Sequence, residues 1–190
     1  IKDAREIKRY VSKNVEEEYT PAVVEFYRTV YGEFKLLPPG TDLKKLLLTL
    51  LSGQIGGFYE PENTTFYIAE KSMSFREMII AHELTHALQD CYMPLKSVLY
   101  LEDLGYEKSS PFRNDDISLA RISLIEGEAQ FVTSLFLARK GFALSPDYLK
   151  KNDYGYLISS QVQFSMAPPV IANQLIFPYT KGMNFIEVLY

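Results

Sequence analysis

The chain contains two histidines in 190 residues, and both lie in one five-residue run, His82-Glu83-Leu84-Thr85-His86. Four positions apart, they fall on one face of a helix with both imidazoles pointing the same way. That spacing suits two neighbouring ligands of a tetrahedral zinc ion. Glu83, beside the first histidine, can reach a water at the metal without ligating the metal, and so serve as general base. Chance would place H-E-x-x-H in roughly one chain in 200 of this length. Here the run is flanked by Ile79, Ile80, Leu84, Ala87 and Leu88, the setting of a packed helix. A pair of incidental surface histidines would not be expected to use up the whole histidine complement.

Composition narrows the remaining classes. With 47% hydrophobic and 23% charged residues the chain is an ordinary globular protein. Its length suits one domain, or one domain built of two lobes. The net charge is −4 and no basic block stands out, which argues against a nucleic-acid partner. A single cysteine, Cys91, excludes an internal disulfide. The longest apolar run, Leu46 to Leu51, is broken by Thr49 and falls far short of the ~20 residues of a membrane span. No transmembrane segment and no signal peptide are expected in this chain. It starts at Ile1 without a methionine and ends at Tyr190 in a helical pattern, so it reads as a piece of a longer protein, and localisation stays open.

Periodicity gives a mostly helical chain with one small sheet. Ile1, Ala4, Ile7, Val11 and Val15 recur at helical spacing. Thr20-Pro21 reads as an N-cap with proline at the first helical position, opening a helix to about Tyr31. Pro38-Pro39-Gly40 breaks the chain, and Thr41 or Asp42 caps a third helix ending near Gly53. Gln54 to Tyr59 and Thr64 to Ala69, rich in aromatic and β-branched residues, flank Glu60-Pro61-Glu62-Asn63 and predict a β-hairpin. Ser74-Phe75-Arg76-Glu77 is a capping-box pattern opening the histidine helix, which runs to about Asp90. After a loop rich in charge and proline, Asn114 or Asp115 caps a long helix that Gly141 ends. Ser145-Pro146 opens another helix, and Pro168-Pro169 precedes a final helical region.

With both histidines committed, a third protein ligand has to be a carboxylate or, less naturally, Cys91. Position 89 is Gln and position 92 is Tyr, so the longer pattern H-E-x-x-H-x-x-G-x-x-H is absent and the metzincin class is excluded. The best carboxylates are Glu126 and Glu128, which interrupt an otherwise apolar helix around Gly127. One of them can turn inward if a metal compensates its desolvation. The group that stabilises an oxyanion likewise cannot be histidine, which leaves Tyr, Arg, Lys, Asn or backbone amides.

HExxH followed by a glutamate on a downstream helix resembles the gluzincin metallopeptidases, the group of the thermolysin-like enzymes and the zinc aminopeptidases. Glu126-Gly127-Glu128-Ala129 is similar to the E-G-x-A stretch of the aminopeptidases, and the resemblance gives the ligand role to Glu126. Pro178-Tyr179-Thr180-Lys181-Gly182 is similar to their P-Y-x-K-G stretch, which makes Tyr179 the expected oxyanion donor, placed at the start of an apparent helix. The hairpin resembles that of thermolysin-like enzymes in placement, and implies that substrate lies along Gly56, Gly57, Phe58 and Tyr59. Gly57 has no side chain to obstruct that approach. Gly56-Gly57-Phe58-Tyr59-Glu60 does not reproduce the aminopeptidase G-x-M-E-N motif, and Gln130 stands where thermolysin-like enzymes have an aspartate behind a histidine ligand. Asp90 or Gln130 is expected to take that supporting role. The likeness covers residues from about 54 to 190, and the first 50 resemble no family.

The expectation is an α+β, mostly helical, zincin-like domain spanning 1–190. Residues 1–90 form an upper lobe with a small antiparallel hairpin over the active-site helix, and 91–190 a helical lower lobe. The expected activity is hydrolysis of peptide or protein substrates with one Zn²⁺ per chain, held by His82, His86 and Glu126, with Glu83 and Tyr179 catalytic. The alternatives are a zinc-binding regulatory or structural protein without turnover, and a hydrolase of a non-peptide amide or ester.

Overall fold

In the computed structural model, residues 1–70, 72, 76–100, 104, 114–141 and 162–190 are described. The Ser74-Phe75 part of the capping box, most of the loop before Asn114 and the helix expected from Ser145 lie outside them. The described chain is mostly helical with one two-stranded antiparallel sheet, an α+β arrangement.

Local chemistry sets the first three helices. Helix α1 (Ala4–Glu18) begins at a capping box that periodicity alone did not reveal. Asp3 Oδ1 accepts from the amides of Arg5 and Glu6, and the Glu6 side chain accepts from the Asp3 amide. The helix buries Ile7, Val11 and Val15, whereas Ile1 precedes it and is exposed rather than part of the apolar face. Thr20 caps α2 (Pro21–Glu33), and Asp42, not Thr41, caps α3 (Leu43–Gln54). Helical bonding carries α3 through Gln54, with Ile55 still donating to Leu51. The first strand therefore starts later than expected.

Strands β1 (Gly57–Glu60) and β2 (Thr65–Ile68) pair with Gly57 opposite Ile68 and Glu60 opposite Thr65. Thr64 turns the chain between them with φ 51. Ala69 donates to Gly56, so the alternation of an antiparallel ladder directs the backbone groups of Gly57 and Tyr59 away from β2. On the far side of β2, Lys2 bonds Ile68 and Glu70 as a short parallel bridge.

Helix α4 (Arg76–Tyr92) carries both histidines under this hairpin, and α5 (Leu95–Tyr100) follows, its first amide taken by Asp90. Helix α6 (Asp115–Arg139) is capped by Asn114 and stops at Gly141, whose φ of 82 ends the helix in the left-handed region. Helices α7 (Val162–Ser165) and α8 (Pro169–Leu189) complete the described chain. One apolar cluster joins α3, α4, α7 and α8 through Leu43, Leu47, Leu50, Ile79, Phe164 and Ile171. A second pins α1 to the sheet through Ile7, Val11, Val15 and Ala69.

Tyr179 does not sit at a helix start. Pro178 lies inside the 21-residue α8, where packing against α6 outweighs the loss of one amide donor. The contact between α6 and α8 is the most extensive between described elements, and two glycines make it possible. A Cβ on Gly182 would stand 2.0 Å from the Ser123 carbonyl oxygen, and one on Gly127 would stand 2.2 Å from the Gly182 carbonyl carbon. The two backbones touch, with Glu126 next to one glycine and Tyr179 one turn before the other.

Gly182→Ala is therefore expected to destabilise the fold by at least the ~1–3 kcal/mol typical of overpacking, because backbone rather than a mobile side chain must move. Gly32→Ala is the control, since nothing lies within 4 Å of a Cβ there. It should be neutral or stabilise by up to about 1 kcal/mol, as Gly-to-Ala changes in helices do. Urea unfolding of both variants measures the contrast.

Candidate metal centre

Helix α4 inverts the usual rule for an amphipathic helix. His82, Glu83, Thr85, His86 and Gln89 are buried, while Leu84 and Leu88 are 49% and 57% exposed. The polar face is turned in because α6 presents Glu126 to it. His82 Nε2 is 3.1 Å from Glu126 Oε2, His86 Nε2 is 3.4 Å from the same oxygen, and the two imidazole nitrogens are 3.1 Å apart. Of the two acids the sequence left open, Glu126 joins the histidines. Glu128, two residues on, points elsewhere on the helix.

The donor set fits a zinc ion. Bonds of about 2.0–2.1 Å at tetrahedral angles place ligand atoms about 3.3–3.4 Å apart, and the three atoms here are spaced close to that triangle. Among the described residues they form the group of His, Cys, Asp and Glu side chains able to hold a metal. Cys91 is exposed and donates to the Ala87 carbonyl, outside this group.

His86 is supported by a residue the sequence did not single out. Asp90 accepts the Tyr59 hydroxyl at 2.9 Å and caps α5, and Gln130 is buried on α6. The histidine is held instead by Gln89, whose Oε1 lies 2.8 Å from His86 Nδ1. The Gln89 amide nitrogen donates to the Ile125 carbonyl at 3.0 Å and to Glu128 Oε2 at 2.9 Å, both acceptors only. The amide therefore cannot be turned round. Its oxygen must face His86, so Nδ1 carries a proton, which leaves Nε2 as the nitrogen that would give its lone pair to a metal. Gln89 lies three residues after His86, on the same helical row, which was the readable signal.

Burial shapes the charges. Desolvation pushes the Glu83 carboxyl up, opposed by the nearby His82 and His86, reinforced by Glu126 and opposed again by the Tyr59 amide that bonds to it. Burial would also lower His86, but Glu126, Glu83 and Gln89 outweigh it and bring the imidazole to about 9. For Glu126, burial is outweighed by the two histidines, and the carboxyl is held well below the usual carboxylate range. Desolvation, with Asp90 beside it, raises the Tyr59 phenol to about 12.

A cleft of about 540 Å³ opens over these groups. Glu83, His82, His86, Glu126 and Tyr179 all face it, as do Gly57, Phe58 and Tyr59 of β1. The Tyr179 ring lies 6.3 Å from that of His82 between centroids. Gly56 is buried behind the strand, its carbonyl engaged by Ala69, and is not among the lining residues. Packing also requires Gly57 to be bare. A Cβ there would meet Ile79 at 2.5 Å and the Tyr67 carbonyl oxygen at 2.7 Å, with Glu83 next at 3.6 Å. The missing side chain lets the hairpin sit on α4. A substitution at Gly57 would disturb Ile79 and the Tyr67 carbonyl.

The opposite wall is α1, through Tyr10, Lys13, Asn14 and Glu17, with Tyr10 stacked on Phe58 at 3.9 Å. Nothing in the sequence of the first 50 residues announced this role. Compared with protein-family models, with curated proteins and with solved structures, the chain gives no significant match.

Gln89→Ala should lower zinc affinity by about 10–100-fold, the usual effect of removing a partner of a ligating histidine, and Glu128→Ala should act in the same direction by less. Competition against a chromophoric chelator measures it. Affinity unchanged in both variants would mean that this chain of bonds does not orient His86.

Proposed function

We propose that this chain is a zinc-dependent hydrolase of peptide bonds, a zincin-like domain of gluzincin type. The observation that carries the reading is the buried triangle of His82 Nε2, His86 Nε2 and Glu126 Oε2, with Glu83 beside it at the floor of an open cleft. A site serving structure alone usually takes four protein ligands and needs neither a spare buried carboxylate nor access from solvent.

Each side chain has a task that its surroundings support. His82, His86 and Glu126 would hold the ion. When bound there, zinc supplies a Lewis acid that polarises a carbonyl and makes a water acidic enough to react near neutral pH. Glu83, its carboxyl raised by burial toward the range of a useful base, takes a proton from the attacking water and returns it to the leaving amine. Tyr179 donates its hydroxyl to the developing oxyanion, its ring held near His82 by the close contact of α6 and α8. An extended peptide pairs along the cleft side of β1, where the backbone groups of Gly57 and Tyr59 face away from β2. The Tyr59 amide already bonds Glu83, so the strand that receives substrate also steadies the base.

Elemental analysis after zinc loading should give about one zinc per chain, largely lost in His82→Ala, His86→Ala and Glu126→Ala. A wild-type protein that takes up no metal would overturn the reading. Glu83→Gln should keep zinc and fold while cleavage of a mixed peptide library falls by ~10²–10⁴-fold. Tyr179→Phe should keep zinc and substrate affinity while kcat drops by roughly 10²–10³. Unchanged turnover in Glu83→Gln, with chelator still inhibiting, would move the base elsewhere.

A further inference from the structure

Asn14 has no local reason to stand where it does. It lies inside α1, away from both caps, where asparagine is a poor helix former because its short amide competes for backbone groups. The side chain is half-buried, yet it forms no hydrogen bond with another described residue. Its direction is set by the residues around it. Val11 and Val15, buried with Ala69 beside Leu51, Ile55 and Phe58, fix the rotation of α1. Tyr10, stacked on Phe58, fixes the distance of α1 from β1, and Asn14 follows Tyr10 one turn later on the same row. The carboxamide is thereby turned into the metal cleft, and it also lines a neighbouring cavity of about 360 Å³. Tyr179 lines both spaces too, so the two side chains stand where they join.

An extended peptide on β1 can satisfy only part of its backbone there. Alternate residues turn N–H and C=O toward Gly57 and Tyr59, and the residues between turn theirs to the opposite border. Those groups lose water when the peptide enters the cleft, and each costs free energy unless a new partner meets it. The charged side chains that line the cleft are engaged otherwise. Lys13 faces Glu17 at 3.9 Å, Lys96 faces Glu62 at 3.2 Å, and Glu60 accepts from Asn63. His82, His86, Glu126 and Glu83 belong to the metal centre. Asn14 is the one carboxamide among the described lining residues, and it repeats the donor and the acceptor of a peptide group.

We infer that Asn14 is a substrate-binding residue whose carboxamide holds a peptide group on the border that β1 leaves unpaired, next to the bond that is cut. That the ligand is a peptide paired along β1 rests on the peptidase reading; the choice of Asn14 rests on its unanswered amide and its place at the cleft.

The test measures binding to zinc-loaded protein of three hydroxamates, whose metal-binding group fixes their register. Acetohydroxamate has no peptide arm. N-acetyl-trialanine hydroxamate carries residues on one side of the metal, and hydroxamoylacetyl-trialanine amide carries them on the other. Asn14→Ala should weaken one of the two peptide hydroxamates by about tenfold or more, as loss of a partner for a buried polar group does, and leave acetohydroxamate unchanged. Zinc content should stay the same, and stability in urea should not fall, because the side chain bonds nothing described in the protein. Exchanging single peptide bonds of the affected arm for esters then locates the contact. At one position the ester should weaken binding to the wild type but not to Asn14→Ala. Unchanged affinity for both peptide hydroxamates, or ester losses of equal size in the two proteins at every position, overturns the inference. A parallel loss of acetohydroxamate overturns it too, because the defect would then lie at the metal. Digestion of a peptide library by the wild-type protein runs alongside. No cleavage despite the coupling to Asn14 would count against the peptidase reading alone, whereas cleavage with unchanged hydroxamate affinities would count against Asn14 alone.

Discussion

Taking His82, His86, Glu83 and Glu126 out of water together costs several kcal/mol per charge unless their fields offset one another. Glu126 provides most of that offset, since it faces both imidazoles at hydrogen-bonding distance. The consequence spreads outward. To bring Glu126 there, α6 must run beneath α4. To bring Tyr179 beside it, α8 must lie against α6 with no side chain between, and only Gly127 and Gly182 allow that. The hairpin in turn reaches α4 because Gly57 offers no Cβ to Ile79. Three glycines at two contacts thus hold the elements around the polar cluster together.

Much of the fold was legible in the chain. Caps at Thr20, Asp42 and Asn114 and the stop at Gly141 are local events, settled by side chains bonding the nearest amides or by a positive φ, so they can be read where they stand. Ile7, Val11 and Val15 announced the buried face of α1 by spacing. Errors arose where tertiary contact overrode local chemistry. Gln54 belongs to a helix whose bonding runs on to Ile55. Pro178 lies within α8 because the contact with α6 holds the helix on both sides of it. Leu84 and Leu88 face outward because the face that carries His82, Glu83 and His86 is buried against Glu126.

The candidate site divides in the same way. His82, Glu83 and His86 are one helical pattern and could be read without any fold. Glu126 and Tyr179 came from short motifs, and the structure brings both to the same cleft. Glu128 was present in one of those motifs and Gln89 lay three residues past the second histidine, but their task emerges only when α4 and α6 are seen together, with an amide whose orientation two acceptors dictate. The contribution of α1 had no signal, because a periodic apolar stripe says that a helix packs, not on what.

The bridge of Lys2 to Ile68 and Glu70 has a consequence for solubility. A two-stranded sheet has two unsatisfied borders, each able to recruit a strand from another molecule and start aggregation. Here the chain's own N-terminal residues occupy the border of β2, and the border of β1 is recessed between α1 and α4. Colloidal protection is thus asymmetric: one edge is covered at its end by self-pairing through Lys2, and the other is sheltered by concavity, open to a slender extended chain but not to the broad face of a second folded copy.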